Sequence, residues 1–294
     1  MLVAAGQLRS TADKAANRRA ACAMVRRAAS SGAALVVLPE GAMCPFEPTR
    51  ADLCDLAETL DGPFVEAIAR EAAQAGVTVV AGMFERSRRK ARVHNTAVVV
   101  GPSGMIGCYR KFHLFDALGW RESASILAGD PAVDGVTVFD LDGLRFGVMT
   151  CYDLRFPEMA RALVDAGTEV LLVCAQWIAG PGKADTWRTL LRARAIESTA
   201  YAVAAAQPSP GCTGHSMIVD PKGRVLAELD ARARRVVLGQ VDQRRVREVR
   251  DALPVLDARL YSVMPWPTRP QKPQRPAVSA LARPAPRRVV RRLD

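Results

Sequence analysis

The stretch VTVFDLDGLRFGVMTCYDLRFPE, Val136–Glu158, carries most of what the chain says about its fold. Two apolar runs, VTVFDL and LRFGVMT, are joined by Asp142-Gly143. A tight two-residue hairpin turn needs positive φ at both central positions, which Asp and Gly tolerate, so the pair predicts a β-hairpin. The second run stops abruptly on Cys151. A polar turn follows, then a helix near 156–166, then the apolar run TEVLLVCA at 168–175. Strand, helix and strand in succession predict an α/β unit. A thiol where a strand leaves the core is either a small buried hydrophobe or a nucleophile, and the stretch alone leaves both open.

The same alternation extends in both directions. LVAAGQL (2–8) and ALVVLP (34–39) read as strands around an amphipathic helix at 13–31, with Asp13 near its start. A helix at about 63–75 ends at Gly76, a residue suited to the position after a helix. VTVVAGMF (77–84), TAVVVG (96–101) and MIGCYRK (105–111) are the next strands, the last two joined by a GPSG turn. A long amphipathic helix covers 184–198. YAVAAAQ, SMIVD, VLAEL and VVLGQVD complete the strand series, with a PKG turn inside it. The expectation is a mixed sheet system covered by helices, in one domain over 1–264, without internal repeats.

With 294 residues, 49% of them apolar, the chain can bury a sizeable core. The seven cysteines are odd in number and widely spaced, which argues against a disulfide framework. No C-x-x-C occurs and the three histidines are scattered, so no metal site is expected. No apolar run reaches the roughly 18 residues of a membrane span, and the N-terminus lacks a leader pattern. These features predict a soluble, cytoplasmic protein. The net charge of +11 is concentrated at the end: residues 265–294 hold eight Lys or Arg and one Asp, leaving +4 for the rest. This basic, proline-rich tail is expected to be disordered. A solvated tail without a specific partner is favoured over a nucleic-acid or membrane contact, and no specific nucleic acid or membrane insertion is expected.

Three strand ends carry reactive side chains. Glu40 follows LVVLP, Lys111 ends CYRK, and Cys151 ends GVMT. Strand ends on α/β scaffolds are where reactive groups are presented. Taken singly, each is ordinary: a solvated or capping acid, a surface cation, an inert thiol.

Taken in order, LPE, YRK-x-HLF and CYDLRFPE resemble the three signatures of the nitrilase superfamily of carbon–nitrogen hydrolases. The likeness runs from about residue 2 to 263. LLRARAIES (190–198) and GHSMIVDPKG (214–223) are similar to the branch that holds ω-amidases and deaminated glutathione amidases. The resemblance implies a four-layer αββα sandwich, a homodimer or higher homo-oligomer, no cofactor, and a small-molecule amide as substrate in a metabolite-repair role. It implies a Glu40–Lys111–Cys151 triad. Cys151 would attack the amide and Glu40 would move the protons. A neighbouring lysine cation would lower the thiol pKa, and Lys111 with the backbone N–H of Tyr152 would hold the oxyanion. Water would resolve the thioester, releasing acid and ammonia.

Further roles follow from the same likeness. Glu122 would help position the lysine and substrate, against the plain alternative of an exposed loop acid. Arg155 would grip a substrate carboxylate with its planar fork, or else pair with Glu158 or another acid. Trp177 would lie beside the substrate, or belong to the core or a dimer contact. His113 and His215 are read as structural. GPGK (180–183) only superficially suggests a phosphate loop: Trp177 stands where its first glycine would be and Ala184 where Ser or Thr would follow the lysine.

Two segments depart from the branch. AQWIAGPGK is shorter and lacks the threonines that several relatives carry before Gly-Pro, and QPSPGCTGHS is also shorter than in some. Both fall in expected pocket walls and leave the substrate open. A deaminated glutathione or α-ketoglutaramate type of amide is the favoured expectation. An N-carbamoyl hydrolase, aliphatic amidase or nitrilase is the alternative within enzymes, and an interaction protein using the basic tail is the alternative outside them.

Overall fold

Strands β1 (Leu2–Gly6), β2 (Leu35–Val37), β3 (Thr78–Arg86), β4 (Val93–Gly101) and β5 (Gly104–Arg110) follow one another in space as in sequence. Short β6 (Ile126–Leu127) pairs with β4. The first three strands are parallel, so each connection must cross over. Helices α1 (Lys14–Ser30), α2 (Arg50–Leu56) and α3 (Pro63–Ala75) supply those connections. The second sheet holds β7 (Val138–Leu141), β8 (Leu144–Thr150), β9 (Val170–Ala175), β10 (Tyr201–Ala206), β11 (Met217–Val219) and β12 (Val225–Glu228). Its parallel pairs β8–β9 and β9–β10 enclose α4 (Pro157–Asp165) and α5 (Lys183–Ser198). Strand β13 (Val236–Gln240) returns to the first sheet, antiparallel to β1, and α6 (Gln243–Ala252) follows it. The computed structural model describes residues 1–46, 50–89 and 91–265, and Met1–Met264 form one compact unit. The basic tail lies, from residue 266 onward, outside the described residues.

Alternation along the strands builds the layers. Val3, Ala5, Leu35, Val37, Val80, Ala97 and Val99 point to the second sheet and share a core with Val148, Leu172 and Ala204. Ala4, Val36, Val79, Ala81, Val98 and Val100 point the other way, onto Val25 and Ala28 of α1 and Phe64 and Ile68 of α3. Met159 and Leu163 of α4 and Trp187 and Leu191 of α5 cover the outer face of the second sheet. The result is helix, sheet, sheet, helix: the αββα sandwich.

Local signals behave as their chemistry requires. The Asp13 carboxylate accepts from the Ala16 N–H at 3.0 Å and caps α1. Gly76 closes α3 at φ 66°, and Asp142 and Gly143 turn the β7–β8 hairpin at φ 48° and 78°. Helix α6 is absent from the sequence reading. It buries only Val246 and Val249, too few apolar residues to give a pattern. The Asp242 carboxylate, accepting from the Arg244 N–H at 2.9 Å, and the Arg247–Gln243 side-chain bond at 2.7 Å help hold it. Among the described residues no helix is long and apolar enough to cross a membrane.

Candidate active site

Three strand ends from two sheets meet at one end of the sandwich. Glu40 lies three residues past β2, Lys111 directly follows β5, and Cys151 directly follows β8. All three are buried and line one pocket, which encloses about 570 Å³ of space, part of it open to solvent.

Each carboxylate oxygen at the base has a donor. Glu40 Oε1 accepts from Lys111 Nζ at 3.0 Å and from Asn95 Nδ2 at 2.7 Å. Glu40 Oε2 accepts from the Gln176 backbone N–H at 2.7 Å, which ties this first-sheet acid to the end of β9 in the second sheet. Lys111 Nζ also donates to both oxygens of Glu122, at 3.1 and 3.0 Å. Asn95 Nδ2 bridges across, donating to Glu122 Oε1 at 3.1 Å as well. Glu122 is no exposed loop acid: it is 4% exposed, in a short helical turn, and takes a further bond from the Phe115 N–H at 2.6 Å.

The charges of this buried set are interdependent. Burial acts to discharge Lys111, but Glu122 and Glu40 more than offset it and hold the ammonium well above the ordinary lysine range. Burial pushes the Glu122 pKa up; Lys111 opposes the rise and Glu40 adds to it. For Cys151 the expected depression by Lys111 is not met. Burial, reinforced by Glu40, raises the thiol well above its ordinary value, and Lys111 offsets only part. Burial alone does not single out this cysteine, since Cys212 is pushed up to about 12 by the same cause. What distinguishes Cys151 is the Lys111 cation acting on it, in a pocket that both share with Glu40.

The backbone presents the thiol from a strained turn. Cys151 has φ 48°, a conformation that costs a non-glycine residue roughly 1–2 kcal/mol. Asp153 fastens the turn. Its Oδ2 accepts from the Thr150 N–H at 2.9 Å and the Tyr109 hydroxyl at 2.7 Å, and its Oδ1 accepts from the His113 N–H at 3.1 Å. His113 Nδ1 also lies 2.7 Å from that oxygen, and its ring stacks on Phe156. His113 is thus occupied in joining the cysteine turn to the lysine strand. His215 stands elsewhere, against Arg188 and the Leu229 carbonyl. Residues Cys151–Arg155 form one turn of 3₁₀-helix, and the first N–H groups of a helix, Tyr152 among them, have no intrahelical acceptor.

Arg155 and Trp177 line the outer pocket, the Arg155 guanidinium carbon lying 5.0 Å from the centre of the Trp177 ring. Among the described residues Arg155 forms no ion pair with Glu158, which is exposed on α4. Trp177 is buried, and its indole N–H donates to the Lys183 carbonyl at 3.2 Å. Sequence reasoning missed Asn95, Gln176 and Lys183. A mid-strand asparagine between two acids has no local pattern, and Gln176 acts at Glu40 through its backbone. Lys183 was weighed only as part of a phosphate loop.

Comparison with known proteins identifies the family. The family model for carbon-nitrogen hydrolases matches residues 2–251. The chain is 36% identical over 266 residues to a deaminated glutathione amidase of Escherichia coli, covering 89% of this chain and 98% of that protein. It is 36% identical over 273 residues to the Mycobacterium tuberculosis protein Hydrolase Rv0480c, covering 87% and 94%. The crystal structure of Saccharomyces cerevisiae Nit3, a member of branch 10 of the nitrilase superfamily, matches with TM-score 0.76 and 26% identity, over 86% of this chain and 94% of that one. Fold, buried Glu–Lys–Cys geometry and a match over most of the chain lead to one conclusion: the chain belongs to the carbon–nitrogen hydrolase family of the nitrilase superfamily and is a hydrolase of non-peptide carbon–nitrogen bonds.

Proposed function

We propose that the chain is a cysteine-dependent amidase acting on a small, carboxylate-bearing linear amide of the deaminated glutathione or α-ketoglutaramate type. The observation that carries this reading is the joining of Glu40, Lys111 and Glu122 by hydrogen bonds beside Cys151, at the base of a pocket that also holds Arg155. The relatives named deaminated glutathione amidase support the substrate type.

In this mechanism Glu40 takes the thiol proton as Cys151 Sγ bonds to the amide carbon. A raised thiol pKa makes that base necessary, because little thiolate exists beforehand. The oxyanion is held by the Lys111 ammonium and the Tyr152 N–H. Glu40 passes its proton to the nitrogen, the carbon–nitrogen bond breaks, and a thioester remains. The departing group is ammonia from a primary amide and an amine where the nitrogen carries a substituent. Water, deprotonated by Glu40, adds to the thioester; the carbon–sulfur bond breaks and the thiol regains its proton. Glu122 keeps Lys111 in place, Arg155 holds the carboxylate, and Trp177 flanks it. A cytoplasmic homodimer serving metabolite repair, with a hydrolase domain over 1–264 and a separate basic tail, completes the reading.

Purified protein incubated with α-ketoglutaramate or deaminated glutathione should release 2-oxoglutarate. Cys151→Ala should abolish turnover, and Glu40→Gln should reduce it by roughly 10²–10⁴. No product from either compound would sink the substrate assignment. A wild-type rate in Cys151→Ala would sink the mechanism.

A further inference from the structure

Lys183 lines the same pocket as Arg155. Its ammonium lies 5.2 Å from the centre of the Phe115 ring and 5.8 Å from that of Trp177, the ring that Arg155 also covers. The two cations therefore share one aromatic surface above the thiol. Several buried or half-buried cations elsewhere pair with acids, as Arg110 does with Glu85, Arg188 with Glu228 and Arg194 with Glu197. Among the described residues neither Arg155 nor Lys183 has such a partner. The pocket's two acids, Glu40 and Glu122, are engaged by Lys111 below.

The position of Lys183 is also unfavourable for the helix that carries it. It is the first residue of α5, a helix of 16 residues, where the macrodipole is positive and an acid would be preferred. Its backbone is nevertheless pinned toward the pocket. The Lys183 carbonyl accepts the Trp177 indole N–H at 3.2 Å, and the Lys183 N–H donates to the Gly180 carbonyl at 3.1 Å. Burial and the Arg155 charge both act against its protonated form. A cation set against another cation and against a helix dipole gains most from an arriving anion.

We propose that Lys183 is a specificity-determining residue, the second of two cations at the pocket that select an amide bearing a carboxylate over its neutral counterpart. The inference rests on the amidase reading for the reaction, but the anion site itself can be tested without turnover.

The probes are glutaramate, its uncharged counterpart pentanamide, and the non-hydrolysable anion glutarate. The variants are Lys183→Gln, Lys183→Glu and Lys183→Arg, in the full chain. Loss of one charge-assisted contact corresponds to roughly a tenfold change or more. Lys183→Gln should weaken glutarate binding, measured calorimetrically, by that factor. It should lower kcat/KM for glutaramate similarly, through KM, while pentanamide stays within about twofold. Lys183→Glu should weaken both further, and Lys183→Arg should restore most of the loss. Equal glutarate binding by wild type and Lys183→Gln would overturn the proposal, as would parallel losses on both amides. Lys183-dependent glutarate binding without cleavage of any amide would sustain the anion site and overturn the amidase reading instead.

Discussion

Gly82 of β3 and Glu40 are in backbone contact: a Cβ on Gly82 would lie 2.6 Å from the Glu40 Cα and 2.7 Å from the Pro39 carbonyl oxygen. Both neighbours are main chain and cannot rotate away. The Gly82 N–H donates to that carbonyl at 3.2 Å, so the strand holds the turn that aims Glu40. Gly82→Ala should therefore displace Glu40 from Lys111. The expected cost is about 1–3 kcal/mol in urea unfolding with a fall in kcat on any cleaved amide. Wild-type stability together with wild-type kcat would contradict this.

Asp153 governs the cysteine turn. Asp153→Ala would remove the acceptor for the buried Tyr109 hydroxyl and for the Thr150 and His113 amides. Each unsatisfied buried group costs about 1–3 kcal/mol. The variant should unfold at lower denaturant and lose activity. Asp153→Asn, which keeps one acceptor oxygen, should fall between it and wild type in the same two measurements.

Asn95 is the neutral donor shared by the two acids. In Asn95→Ala only Lys111 and the backbone N–H groups remain to stabilise them, and Glu122, already raised by burial, should rise further. The acid limb of the kcat/KM profile should move to higher pH. An unmoved limb with unchanged kcat would show that Lys111 suffices.

The thiol should react as a thiol at neutral pH. Iodoacetamide alkylation of Cys151, read by peptide mass, should be slow at pH 7 and climb only above the ordinary cysteine range, because burial and Glu40 favour the protonated form. Lys111→Gln removes the cation that most favours thiolate, so its alkylation should need still higher pH. Rapid alkylation at pH 7 would mean that a preformed thiolate exists.

Lys183 is pulled below the usual lysine range, first by burial and then by Arg155, with Cys151 acting in the opposite direction. Glu40, Lys111, Glu122 and Tyr152 are the other charged or titratable groups of the pocket. Of the two forms of Lys183 only the ammonium adds to the pull of Arg155 on a carboxylate, so the preference for glutaramate over pentanamide should shrink as pH rises, at a lower pH than an ordinary lysine would give. In Lys183→Arg the preference should persist to higher pH, because the guanidinium does not titrate there.

Much of the scaffold was legible because its signals are local. Asp142-Gly143 fixes a hairpin by the φ values those residues accept, Asp13 caps a helix with its own carboxylate, and Gly76 ends one at positive φ. The all-apolar run of β1 announces a buried strand, but only packing shows that Val3 and Ala5 face one core and Ala4 the other. Helix α6 escaped because two buried valines among arginines carry no readable period.

For the site, the chain by itself determined that Glu40, Lys111 and Cys151 stand at the ends of strands, in an order that resembles one hydrolase family. It did not determine that Asn95 bridges two acids, that Gln176 ties Glu40 across the sheets, or that Lys183 joins Arg155 on Trp177. Those relationships link residues far apart in sequence, and no local pattern encodes them. The thiol shows the same division. Its neighbour Lys111 suggested a lowered pKa, but packing removes it from water and sets Glu40 beside it, and burial outweighs the cation. Sequence fixes which groups are available; the close approach of two sheets decides the dielectric around them, and so their charge.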